Sequence, residues 1–183
     1  SWCASFVERR VTVVSGGAFG IDAAAHRSTL DAEGLTLCVL ASGVDIAYPR
    51  SHEHLIARIA DEGLVLSESP LGAEPRRQRF LTRNRLIAAL TRATVIVEAA
   101  IRSGTTTTAR AADALGRPVL AVPGPVTSPA SAGCHDLIAA GVARLAGDAG
   151  TVLEALALPG AIDARSPADA GEVTGPGTAS TGR

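Results

Sequence analysis

The sequence predicts an α/β fold, a three-layer sandwich in which a mostly parallel sheet lies between two layers of helices. Short continuous apolar runs recur at 11–14, 35–40, 64–66, 95–97, 119–122 and 142–145, and stretches with helical apolar spacing separate most of them. Apolar runs without polar alternation belong to strands covered on both faces, and parallel strands need helical crossovers. At 183 residues the chain is long enough for one such domain with a substantial core.

The elements follow in order. The first ten residues lead straight into the strand at 11–14, with no cap or turn signal ahead of it. A glycine-rich turn then opens an Ala-rich helix over 21–31. Leu55, Ile56 and Ile59 mark one face of a helix at about 51–61, and Leu86, Ile87 and Leu90 mark another further on. An Ala-rich helix is expected over 105–115 and a last short one over 148–158. Beyond Pro159 the chain turns to Ala, Gly, Pro, Ser and Thr. Such a segment buries too little surface to offset its ordering entropy. The reading is therefore a folded domain over 1–158 and a disordered linker or tail over 159–183.

Composition narrows the function. There is no Met, which fits a fragment or a processed chain, and all 17 cationic side chains are Arg. Every cation-dependent contact must therefore use guanidinium, whose planar fork matches phosphate oxygens. The net charge of −1 offers no bulk attraction to nucleic acid, so any such site must come from local clustering of Arg. Cys3, Cys38 and Cys134 are odd in number and form no CxxC, so neither a disulfide nor a metal site is expected, and a reducing cytoplasm fits. No run approaches the roughly 20 apolar residues that span a bilayer, so no membrane partner is expected.

Three segments carry chemistry. In the first, Val13 and Val14 lead into Ser15-Gly16-Gly17-Ala18-Phe19-Gly20 and then into the helix beginning at Ile21 and Asp22. Backbone N–H groups in such a turn, reinforced by the positive end of a helix, can cradle a phosphate; the same turn can be a mere tight connection. Asp22 is a helix-dipole residue or holds the loop. In the second, Val95-Ile96-Val97 leads through Arg102-Ser103-Gly104 to Thr105, with Ser103 or Thr105 a natural helix cap. Both turns follow parallel strands, at the edge where open α/β sheets bind ligands. The third is the run from Glu74 to Arg85, with five arginines against one acid, ending in Arg83-Asn84-Arg85 just before an apolar helical face.

The patterns that need other partners are weaker. His52 and His54 are i, i+2 and face apart, a poor metal pair. His26 is read as a packing residue, and His135 beside Cys134 lacks the third partner of a catalytic set. Aromatics at 3% are too few for a stacking platform on a sheet face.

Taken together, Ser15 to His26, Gly43-Val44-Asp45 with Tyr48-Pro49, Ser67-Glu68, Phe80 to Leu90, Val97-Glu98-Ala99, Ser103-Gly104, Ala121 to Gly124 and Leu137 to Gly141 resemble, in order, the DNA-processing protein A (DprA/Smf) family. The resemblance implies a Rossmann-like domain that binds single-stranded DNA without cutting it and uses no cofactor. It also implies a homodimer and the loading of a RecA-type recombinase in natural transformation or recombination. By position, the DNA and phosphate site would be Ser15, Gly16, Gly17 and Gly20, with Arg83, Asn84 and Arg85 nearby and Ser103, Gly104 and Thr105 across the cleft. Phe19 would either stack a base or anchor the core. The family's first strand lies before Ser1, so a sheet edge is expected to be exposed. The chain departs from the family pattern at Leu81, Ala89 and Thr105 to Thr108.

The competing reading is an enzyme, a nucleotide phosphoribohydrolase of the lysine-decarboxylase-like family. Those proteins carry a Glu after the second glycine turn, where this chain has a run of threonines. A dinucleotide-dependent oxidoreductase needs G-x-G-x-x-G, and the spacing here is G-G-x-x-G.

Overall fold

The computed structural model describes residues 1–157; the expected tail lies outside the described residues. Two βαβαβ units make up the fold. In the first, β1 (Val13–Ser15), α2 (Ile21–Asp31), β2 (Thr36–Val39), α3 (Glu53–Glu62) and β3 (Leu64–Leu66) alternate, with a 3-10 turn at Arg50–His52 ahead of α3. In the second, β4 (Thr94–Ile96), α5 (Thr105–Ala114), β5 (Val119–Ala121), α6 (Ala132–Ala139) and β6 (Arg144–Leu145) do the same. Helix α4 (Arg77–Leu90) joins the units, α1 (Trp2–Glu8) precedes them and α7 (Ala149–Ala157) follows.

All pairings are parallel, in the orders β1-β2-β3 and β4-β5-β6. Val14 and Ser15 of β1 and Thr94 to Ile96 of β4 line one groove, so the inner edges of the two ladders face each other. The order across the molecule is thus 3-2-1 followed by 4-5-6, with a topological switch point at the groove. No described strand bridges these edges, so the sheet expected from the sequence is found as two ladders. Buried Thr94 Oγ1, beside this gap, has no hydrogen-bond partner among the described residues.

The sheet is covered on both faces. Val119 and Ala121 of β5 pack in one cluster with Ile96, Ala109, Cys134 and Leu137, while Leu120 points the other way onto Ala146, Val152 and Ala155. A third cluster, of Ala23, Leu30, Cys38, Leu40, Leu55, Ile56 and Ile59, fills the first unit. This alternation is why β5 reads as an unbroken apolar run.

Two helices differ from the sequence expectation. Residues 2–8 form α1, where an uncapped lead-in to the strand was expected. Ser1 Oγ accepts from the Cys3 N–H at 3.3 Å, and Trp2 and Phe6, one turn apart, pack beside α7. Helix α6 was also unanticipated; its buried face is the small set Gly133, Cys134 and Leu137, too weak a stripe to read. Within α4 the buried apolar anchor is Ala88, whereas Leu90 is 48% exposed, because the helix packs mainly against α5 through its small residues.

One glycine fixes the first unit. A Cβ on Gly63, which ends α3, would run into the Thr36 carbonyl oxygen and lie 3.2 Å from the Ile59 carbonyl oxygen. Gly63→Ala is expected to cost about 1–3 kcal/mol of stability, since backbone cannot yield as a side-chain tip can. Chemical denaturation followed by circular dichroism measures it.

Candidate nucleic-acid interface

The turn after β1 is held from the first turn of α2. Asp22 Oδ1 accepts from Ser15 Oγ at 2.7 Å, and its Oδ2 accepts from the Ala18 N–H at 3.1 Å. Gly20 adopts φ +79°, a left-handed conformation that favours glycine. Asp22 therefore holds the loop. The N–H groups of Gly17, Phe19 and Gly20 have no partner among the described residues and lie at the positive end of α2.

Behind this turn lies Arg83. It sits mid-helix in α4 and is only 7% exposed. Its guanidinium donates to the Val39 carbonyl oxygen and, through Nε, to Asn84 Oδ1 at 3.2 Å, and it lies 5.7 Å from the Phe80 ring centre. No carboxylate pairs with it among the described residues. Burial pushes its pKa down, with the nearby Asp22 charge acting in the opposite sense, yet a guanidinium stays protonated. A buried cation without an ion-paired carboxylate is costly, and an incoming anion relieves that cost.

The second turn completes the cleft. Gly104 is the cap residue of α5, one position off the expected Ser103 or Thr105. Ser103 Oγ instead accepts from the Thr105 N–H at 3.1 Å, and Asn84 Nδ2 donates to the Gly104 carbonyl oxygen at 3.1 Å. Asn84 thus ties α4 to the second turn while Arg83 lies against the first.

These elements line a groove of about 520 Å³ that includes Ser15, Phe19, Gly20, Arg83, Asn84, Ser103, Gly104 and Thr105. A smaller cavity of about 120 Å³ adjoins it, lined by Gly17, Phe19, Leu40, Tyr48, Phe80 and Arg83 among others. Gly16 abuts the guanidinium, since a Cβ there would fall 2.8 Å from Arg83 Cζ. Among the anticipated residues, Gly16 and Arg85 fall outside both linings: Gly16 lies behind the turn against Arg83, and Arg85 is held in an exposed ion pair with Glu68 at 2.6 Å. Phe19 is 68% exposed, which removes the core-anchor reading.

Sequence reasoning missed Tyr48 and Phe80 as parts of the site. Their rings meet edge-on with centres 5.7 Å apart, across 32 positions in sequence, which no local pattern reveals. His52 is buried and His54 exposed, and no group of three potential ligands for a metal occurs among the described residues.

Residues 1–157 match the model of the family described as DNA recombination-mediator protein A. The chain belongs to the DNA recombination-mediator protein A family. A Mycobacterium tuberculosis relative whose name places it with DNA processing protein DprA is 62% identical over 135 residues, 74% of this chain and 35% of the relative. Protein Smf of Escherichia coli is 42% identical over 141 residues, 76% of this chain and 38% of that protein. The chain therefore spans between a third and two fifths of these relatives. Among solved structures it is similar to DNA processing protein A of Streptococcus pneumoniae, with a TM-score of 0.74 and 38% identity over 83% of this chain and 56% of that one. It is also similar to the Helicobacter pylori protein, with a TM-score of 0.76 and 29% identity over 85% of this chain and 70% of that one. The α/β fold with parallel strands and the family resemblance read from the sequence both hold. No described helix is long and apolar enough to cross a membrane.

Proposed function

We propose that the cleft between the two glycine turns binds single-stranded DNA, as a binder and not as an enzyme. The observation that carries this reading is Arg83, a buried guanidinium with no ion-paired carboxylate among the described residues, its neighbour Asp22 being bonded to the turn, set between two helix N-termini. A backbone phosphate takes the place of the missing anion. Free N–H groups of the first turn receive it on one side, and Ser103 and Thr105 lie on the other. The adjoining aromatic cavity takes a base, with Phe19 and Phe80 as the stacking rings. Duplex DNA keeps its bases paired and stacked, so it cannot fill that cavity. The Helicobacter pylori relative is named for its single-stranded-DNA binding mode, which supports the reading.

In the complete protein this domain protects incoming strands in the cytoplasm, pairs as a homodimer and loads a RecA-type recombinase during transformation or recombination. Fluorescence anisotropy with labelled single-stranded and duplex oligonucleotides across a salt series tests the binding step. Preferential, salt-weakened binding of the single strand is the expected result. Equal affinity for duplex, or release of base from a nucleoside monophosphate, would replace it with the phosphoribohydrolase reading or a general polyanion site.

The stacking role makes its own prediction. Phe80→Leu is expected to weaken single-strand binding by about 1–3 kcal/mol, the usual worth of one base–aromatic contact. The same titration measures it, and unchanged affinity removes Phe80 from the base site.

A further inference from the structure

Two buried histidines grip the back of the first glycine turn. His26, on α2 and fully buried, places Nε2 2.7 Å from the Gly16 carbonyl oxygen. His52, in the 3-10 turn before α3 and 5% exposed, places Nδ1 3.0 Å from the Gly17 carbonyl oxygen. A carbonyl only accepts, so each of these nitrogens carries a hydrogen and donates it. Burial holds His26 below its ordinary pKa and hence neutral near pH 7. Its Nδ1, 2.7 Å from Thr36 Oγ1, is then bare, and the single Thr36 hydroxyl proton is shared between it and the Val13 carbonyl oxygen, 2.9 Å from the same Oγ1. The donating hydrogens thus sit on opposite ring nitrogens: on Nε2 in His26 and on Nδ1 in His52.

The consequence follows from peptide geometry. In a trans peptide the N–H points opposite to the C=O. With the Gly16 and Gly17 carbonyls drawn onto the imidazoles, the Gly17 and Ala18 N–H groups face away from them, and the Ala18 N–H indeed meets Asp22 Oδ2. Glycine peptides flip at little steric cost, and a flip here would turn a carbonyl dipole toward the phosphate. Something other than the glycines must fix the orientation. His52 also stands edge-on to Phe19, with ring centres 4.6 Å apart, so the same grip steadies the exposed aromatic at the cleft.

We propose that His26 and His52 are positioning residues, a pair of buried imidazoles that hold the Gly16 and Gly17 carbonyls away from the cleft, which leaves the Gly17 N–H to a DNA phosphate and the Ala18 N–H to Asp22. This rests on the phosphate reading of the turn given above. The test compares His26→Leu and His52→Leu with His26→Gln and His52→Asn, whose amides restore a donor near Nε2 and Nδ1 respectively. Anisotropy with a single-stranded oligothymidylate is read alongside thermal melting. The Leu variants are expected to bind about tenfold more weakly and the amide variants to recover most of that loss. Long-range proton–nitrogen spectra of the DNA-free wild-type protein should show hydrogen on Nε2 of His26 and on Nδ1 of His52. Wild-type affinity in both folded Leu variants overturns the proposal alone. If a Leu variant does not fold, the spectrum decides: hydrogen on Nδ1 and none on Nε2 of His26, or the reverse in His52, overturns it. No single-strand binding by the wild-type protein removes the phosphate reading and the proposal with it.

Discussion

Arg83→Gln is expected to weaken single-strand binding about 10- to 100-fold while leaving the fold intact. A hydrogen bond to a charged partner is worth about 1.5–3 kcal/mol, and here it is made in a desolvated setting. Gln places an N–H donor near the position of Arg83 Nε, which donates to Asn84 Oδ1, but it carries no charge and stops short of the Val39 carbonyl oxygen. Because the buried guanidinium has no acidic partner among the described residues, neutralising it is not expected to cost stability as breaking a buried ion pair does. The logarithmic salt dependence should also become shallower, by about 0.7 for the one phosphate that no guanidinium neutralises any longer. Arg85→Gln provides the contrast. Its guanidinium is exposed and already engaged by Glu68, so an effect of about twofold or less is expected. Anisotropy titrations at several salt concentrations, with melting curves for both variants, measure all three quantities. Similar losses for the two arginines would mean that the basic face of α4, and not the buried guanidinium, receives the strand.

Gly16→Ala carries the second large effect, and it should strike stability and binding together. The new Cβ would lie 2.7 Å from Arg83 Nη2 and 2.8 Å from Cζ. That guanidinium has little room to retreat, because Val39 and Asn84 hold it. Either β1 shifts or the guanidinium leaves its place, at a cost of about 1–3 kcal/mol of stability. In both cases the phosphate is deprived of its cation, so affinity falls about as far as in Arg83→Gln. Gly104→Ala on the opposite wall is the control. Its Cβ would meet only Asn84 Nδ2, at 3.9 Å, and its backbone is already helical. Unfolding midpoints and titrations of the two alanine variants should therefore diverge. Wild-type melting and affinity in Gly16→Ala would show that the guanidinium is free to move.

The fold was legible wherever burial acted on both faces of a strand. Val119 to Ala121 read as an apolar run because alternate residues enter different clusters. The glycine turns were legible because a strand, a turn and a helix start each leave their own local mark. Helix α1 was not, since its evidence is two aromatic residues and one serine cap over seven residues, and its partner α7 lies at the far end of the chain. The Arg run showed where a site is but not which arginine serves it. Arg76, Arg77 and Arg85 are exposed while Arg83 turns inward, a choice set by the phase of α4 as it packs on α5. The roles of His26 and His52 were hidden for a similar reason. Each meets a carbonyl of the first turn, His52 across 35 positions, and a histidine in an Ala-rich or polar stretch looks the same in sequence whether it packs or holds a peptide.

A single strand held between the two glycine turns, with Arg83 beneath it, should perturb both turns in solution. Amide chemical-shift mapping with a short oligothymidylate tests that placement most directly. The largest changes are expected to cluster at Gly16 to Gly20 and Ser103 to Thr105, and the same titration of Arg83→Gln is expected to lose them. Large changes confined to the outer face of α3 or to the exposed arginines at the start of α4, with both glycine turns unmoved, would contradict it.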